Sequence, residues 1–170
     1  KKSGKKVNAA IIIIGNEILS GRTQDVNVEH LSKWLNNLGV KVEEVRVIAD
    51  LESSIINTIN EVRKKFNYVF TTGGIGPTHD DITSKSIAKA FNVKYCYHIE
   101  AYKLLEEYYK KGNFNIGRKK MAKMPRNAHL IYNPSSTAPG FFVKNVYCLP
   151  GVPSILRSML GGLNNKIAGG

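Results

Sequence analysis

The chain has 170 residues and a mass of 18.9 kDa, enough for one domain that buries its own core without disulfide staples or a structural metal. With 42% hydrophobic, 9% aromatic and 22% charged residues, it falls outside disordered, collagenous and coiled-coil compositions, and its longest apolar run, Ala9 to Ile14, is far short of a membrane span. The formal charge of +12 is uneven: no acidic residue follows Glu107, so residues 108–170 carry +10 and the first 107 only +2, which suits either an anionic ligand or a solvated lysine-rich face.

Residues 1–6 read as a basic tail and residues 7–165 as a single domain. The basic start is followed by too short an apolar stretch for a secretory signal, with no small-residue cleavage site, so the expected location is the cytoplasm. Val7 to Ile14 is an isoleucine-rich run ending in Gly15, the pattern of a strand buried on both faces of a parallel sheet. Asp25 is placed to cap a helix carrying Val28, Leu31, Trp34, Leu35 and Leu38, with Gly39 at its stop. Val40 to Ile48 alternates as a strand does, and Asp50 precedes a helix with Ile55, Ile56, Ile59, Val62 and Phe66 on one face. A third strand, Tyr68 to Thr71, runs into a glycine-rich turn, and Ile82 to Phe91 reads as helix.

Beyond this the spacing predicts a helix over Glu100 to Lys111, a short basic helix over Gly117 to Met124 ended by Pro125, and a strand over His129 to Tyr132. A hairpin of Phe141–Val143 and Val146–Leu149 and a last helix from Ser154 complete the chain. Repeated βαβ units predict a three-layer α/β/α sandwich with a mixed, mostly parallel sheet. Trp34, Tyr108 and Tyr109 sit at helical spacings expected of core or interface, and Cys96 and Cys148 have no ligand-spaced partner.

Ligands of such sheets bind at the carboxyl ends of the strands, which gathers the loops 15–21, 49–51 and 72–81 on one rim. Gly73, Gly74 and Gly76 let the backbone approach a phosphate, and the following helix directs its unpaired N–H groups there. The spacing is neither a dinucleotide fingerprint nor a Walker A loop. Asp80 and Asp81 are either helix caps or ligands. With Glu17 and Asp50 on the same rim, they would surround the anion with carboxylates, an arrangement that makes sense if a divalent cation joins phosphate to protein. His79, without a second histidine nearby, is expected to be a surface loop residue.

Five blocks in order, Gly15-Asn16-Glu17-Ile18-Leu19, Asp25-Val26-Asn27, Thr71 through Thr83, Thr137-Ala138-Pro139-Gly140-Phe141 and Leu149-Pro150-Gly151-Val152-Pro153, resemble the molybdopterin-binding domain. This domain is shared by molybdenum-cofactor biosynthesis proteins and the N-terminal half of the competence/damage-inducible protein A family, and the blocks look most like the latter. The resemblance implies a homo-oligomer whose cleft binds a phosphorylated pterin, molybdopterin among them, or an adenine nucleotide. It also implies a divalent-metal pyrophosphatase, using Mg, Mn or Co, that acts on ADP-ribose-like substrates. Where the adenylyltransferases of the wider family carry Arg before the aspartate matching Asp81, this chain has Asp80, which turns the expectation from adenylyl transfer toward hydrolysis. The basic segment keeps Lys120, Ala122 and Pro125 of the branch but has Met121 in place of Gln. Many relatives continue into an amidohydrolase domain, and no amidase activity is expected of these residues.

The resulting expectation is a metal-dependent hydrolase of nucleotide pyrophosphates with Glu17, Asp50 and Asp81 as catalytic carboxylates and Asp80, Asp81 and Glu17 as metal ligands. Asn16, Thr72, Gly73, Gly74, Gly76, Thr78 and Lys120 would hold the diphosphate, and Thr137, Gly140, Pro150 and Gly151 would close the pocket around the ring. A non-catalytic pterin- or nucleotide-binding module and a molybdopterin adenylyltransferase-like enzyme are the alternatives. Nucleic acid ranks last among partners because no recognition motif accompanies the charge.

Overall fold

The computed structural model describes residues 6–110 and 112–169. Its main sheet has six strands in the order β2-β1-β3-β8-β7-β6, where β1 is Asn8–Ile14, β2 Lys41–Ile48, β3 Tyr68–Thr72, β6 His129–Ile131, β7 Gly140–Val143 and β8 Val146–Leu149. The pairs β1·β2, β1·β3 and β3·β8 are parallel, and β8·β7 and β7·β6 are antiparallel. This is the mixed, mostly parallel α/β sheet expected. No helix is long and apolar enough to cross a membrane.

The isoleucine run is central because both its faces find cover. Ile11 and Ile13 pack with Leu31 and Leu35 of α2 (Asn27–Asn37) and with Leu156 and Met159 of α7 (Pro153–Leu160). Ile12 and Ile14 pack on the opposite face with Ile55, Ile59 and Val62 of α3 (Glu52–Lys65) and Ile87 of α4 (Thr83–Ala90). At the edge, β2 alternates exposed and half-buried residues, and Arg46 pairs there with Glu44 and, at 2.9 Å, with Glu61 of α3. Trp34 packs half-buried against this core: it meets Phe70 edge-on, and its indole N–H donates to Asn164 Oδ1 at 2.8 Å.

Three sequence expectations need correction. The basic helix over 117–124 is a shorter helix, α6 (Ile116–Lys120), followed by a strand, β5 (Lys123–Pro125), that pairs antiparallel with β4 (Tyr95–Tyr97) in a second sheet. Ala122 and Met124 must both be buried against the core, and a spacing of two residues achieves this in an extended chain. The helix expected over 100–111 is α5 (Ile99–Tyr108), and the expected end at Lys111 lies outside the described residues, as does the basic tail except for Lys6. A one-turn helix, α1 (Asn16–Leu19), follows β1 where the sequence suggested only a loop.

Cys148 lies in β8 and is fully buried, and burial pushes its thiol up to about 12. Cys96 is partly exposed. Native protein treated with a thiol reagent at neutral pH is therefore expected to react at Cys96 while Cys148 is protected until unfolding. Peptide mapping by mass spectrometry checks this, and equal labelling of both would contradict it.

Candidate functional site

The carboxyl ends of β1, β2, β3 and β8 lie along one rim, and the chain leaves the sheet in opposite directions around β1, so a crevice opens between β1 and β3. Gly73 sits at this crevice with φ +97°, and a Cβ there would stand 2.3 Å from the Ile14 carbonyl oxygen. Gly74, at φ +73°, lies against Thr83, whose Oγ1 would be 1.9 Å from an added Cβ. Thr83 is the latch of this turn: its hydroxyl donates to the Gly73 carbonyl and its N–H to the Gly74 carbonyl, each at 3.0 Å. Sequence reasoning quoted Thr83 in the motif without giving it a task, since a threonine at a helix start has no distinctive signal.

The segment after the glycines is closed on itself. Asp81 Oδ2 accepts from the Thr78 N–H at 3.0 Å and from its hydroxyl at 2.9 Å, so Thr78 shapes the loop. Lys120, at the end of α6, donates to the Asp81 carbonyl at 2.5 Å and to the Thr78 carbonyl. An ammonium has three N–H bonds, so one remains for a ligand. Burial holds this amine below the usual lysine value, against the pull of Asp81, Asp80 and Asp50.

Asp50 follows β2. Its N–H donates to Asn16 Oδ1 at 3.1 Å, while its own Oδ1 is buried with no hydrogen-bond partner. Burial raises the carboxyl above the usual aspartate range, and the charges of Asp81, Asp80 and Glu17 raise it further. Asp50 is therefore within electrostatic reach of the other three carboxylates named from the sequence. They do not form a ready ligand set: among the described residues no three or more His, Cys, Asp or Glu side chains are grouped to hold one ion. Asp80 is turned to solvent and pairs with the equally exposed His79 at 3.3 Å, and Asp81 spends one oxygen on Thr78.

A cleft of about 180 Å³ opens beside the loop, with Gly76, Pro77, Asp81 and Lys120 on one side and Met121, Met124, Phe141, Pro150 and Ile155 as apolar walls. Its far end is polar, with Asn133 and Ser136. Across the Gly73–Gly151 contact lies a smaller hollow of about 90 Å³ lined by Glu17, Asp25, Asn27, Thr72, Gly73 and Gly151. Thr137 and Gly140 do not line the cleft. Thr137 takes φ +71° in a turn where its N–H donates to the Asn133 carbonyl, and Gly140 opens β7, where a Cβ would stand 2.5 Å from the Cys148 carbonyl oxygen. Their neighbours Ser136, Ala138 and Pro139 face the cleft instead.

Two asparagines were given no role from the sequence, Asn133 unmentioned and Asn27 quoted only within a motif block. Asn133 organises the loop before β7 by accepting from the Ser135 and Ser136 N–H groups and donating to the Ala138 carbonyl. Asn27, 4% exposed, donates to the Gly151 carbonyl at 3.0 Å and keeps a buried Oδ1 without a partner beside the smaller hollow.

The family model described as a probable molybdopterin binding domain matches residues 10–167. The chain belongs to this family. A CinA-like protein of Geotalea uraniireducens is 38% identical over 157 residues, covering 89% of this chain and 37% of that protein. A protein of Sulfurisphaera tokodaii is 38% identical over 165 residues, covering 93% of this chain and 63% of its own length. The chain thus spans 37% and 63% of these two curated relatives. The crystal structure of CinA from Thermoplasma acidophilum superposes with a TM-score of 0.89 at 32% identity, over 95% of this chain and 98% of that one. The tungsten cofactor synthesizing protein MoaB of Pyrococcus furiosus shares the fold, with a TM-score of 0.59 at 19% identity over 96% of this chain and 94% of that one.

Proposed function

We propose that the domain binds a phosphorylated pterin or adenine nucleotide across the rim and hydrolyses a diphosphate linkage of the ADP-ribose type with the help of a divalent cation. The observation that carries this reading is Asp50: a carboxylate with a buried, unpartnered oxygen, facing other carboxylates beside a glycine-rich phosphate loop. Such a group is costly as it stands and is relieved by a cation. Asp50 and the free oxygen of Asp81 would hold the ion together with oxygens of the substrate, as suits a cation that uses one or two carboxylates. When bound, the cation supplies Lewis-acid polarisation of the diphosphate.

The remaining work falls to the chain's own residues. Backbone at Gly73 and Gly76 leaves room for the diphosphate. The third N–H of Lys120 faces charge that builds on the leaving oxygen. The apolar walls around Met124 and Phe141 exclude water from the ring, while the Ser136 hydroxyl, held by Asn133, offers a polar contact to its edge. Glu17, at the rim, would accept the proton of an attacking water.

The purified chain incubated with ADP-ribose, FAD or ATP and Mg²⁺, Mn²⁺ or Co²⁺ is expected to release AMP, detected by chromatography, and to stop on addition of EDTA. Asp81→Asn keeps an oxygen for the Thr78 contacts and removes the charge, so turnover is expected to fall by at least about 100-fold in a folded variant. A second reading, a domain that carries its ligand without turnover, is favoured by the lack of a three-ligand group among the described residues. It predicts ligand-dependent thermal stabilisation with no product under any of these metals.

A further inference from the structure

We infer that a second pocket, outside the loop, receives the far half of a two-ended diphosphate, its second phosphate and the group that phosphate carries, and that Lys85 and Tyr97 set the preference for such ligands over mononucleotides. This rests on the nucleotide-binding reading above. The outer pocket, of about 450 Å³, and the inner cleft share Pro77, Asp81, Tyr95, Lys120 and Lys123. They are therefore two sides of one wall. A ligand that reaches from one to the other passes this shared wall, to which Asp81 and Lys120 belong.

The two sides differ in chemistry. The inner cleft is narrow and mostly apolar, suited to a flat heteroaromatic ring. The outer pocket adds Lys85 from α4, Tyr97 from β4 and Ile116 at the start of α6, none of which lines the inner cleft. Among the described residues neither Lys85 nor Lys123 makes an ion pair with a carboxylate. The Lys123 ammonium is instead held 5.0 Å from the Tyr95 ring centroid and 5.3 Å from that of Tyr97. An ammonium fixed on aromatic faces keeps its N–H groups for an anion. Three lysines, Lys85, Lys120 and Lys123, line this pocket against one acid, Asp81, so its net charge favours an anion. Tyr97 is 47% exposed and Ile116 84% exposed, an unusual investment of apolar surface around a cluster of lysines unless something covers them.

Calorimetric titration with AMP and with ADP-ribose, the latter as its non-hydrolysable methylene-bridged analogue and both with Mg²⁺ present, tests the assignment. Wild type is expected to bind ADP-ribose more tightly than AMP. Lys85→Ala and Tyr97→Ala, both at exposed positions, are each expected to weaken ADP-ribose by about three- to tenfold while AMP affinity stays unchanged. If AMP binds but the variants leave ADP-ribose untouched, or weaken both ligands alike, the outer pocket is not the second subsite and the nucleotide reading stands without it. If wild type binds neither ligand, the nucleotide reading itself fails and this inference falls with it.

Discussion

Gly73→Ala is expected to lower stability by about 3 kcal/mol, combining strain at a positive φ with a backbone clash, and to abolish nucleotide binding. Gly73 lies at φ +97°, and the new methyl would stand 2.3 Å from the Ile14 carbonyl oxygen, which belongs to the central strand and has no room to retreat. The Gly73 N–H also donates to the Leu149 carbonyl at 3.1 Å, so the turn is fixed from β1 and β8 at once. For a chain of this size the loss corresponds to a fall of about 6–12 °C in Tm. Thermal denaturation followed by circular dichroism measures it. A variant that melts within about 2 °C of wild type would show that the close approach to β1 is not what demands glycine.

Asp50→Asn should separate stability from function. The carboxyl of Asp50 is raised first by burial and then by Asp81, Asp80 and Glu17, so the folded protein binds this proton more tightly than the unfolded chain does. Its ionised form therefore costs stability at neutral pH, and the cost fades as pH falls through the raised pKa. Asparagine removes the charge and keeps the shape. In EDTA the variant is expected to melt higher at pH 7 by at most about 2–4 °C, the equivalent of about 1 kcal/mol after solvent screening, with the gap closing in acid. With metal and ADP-ribose, turnover is expected to drop by at least about 100-fold. A variant that is both less stable at pH 7 and fully active would remove Asp50 from the site.

These two residues also mark what could be read without coordinates. Gly73 stands in a dense motif after a strand, and the need for glycine there was legible from its position. Asp50 stood alone in a loop, and its place on the rim of the sheet drew notice without showing what its carboxyl meets. Its unpartnered oxygen depends on the Asn16 side chain and on carboxylates from two other loops. Lys120 was legible as a cation near phosphate, but its bonds to the Thr78 and Asp81 carbonyls cross about 40 residues of sequence and leave no periodic trace. Thr137 and Gly140 show the opposite failure: a recognisable motif was assigned to the cleft, whereas its glycine serves close strand pairing and its neighbours do the lining.

The amino-acid sequence by itself determined the βαβ order, the central position of the isoleucine run, the rim on which the loops gather and the family to which the chain belongs. Each of these rests on local periodicity or on short motifs, which report how a segment buries its own apolar face. Tertiary structure alone decided that Lys123–Pro125 is a strand, that Asp80 turns to solvent while Asp81 folds into its loop, and that Tyr97 and Lys85 share a pocket. Three-residue strands carry too little pattern to be seen, and side-chain direction in a loop is set by partners distant in sequence, so both wait for the packed chain.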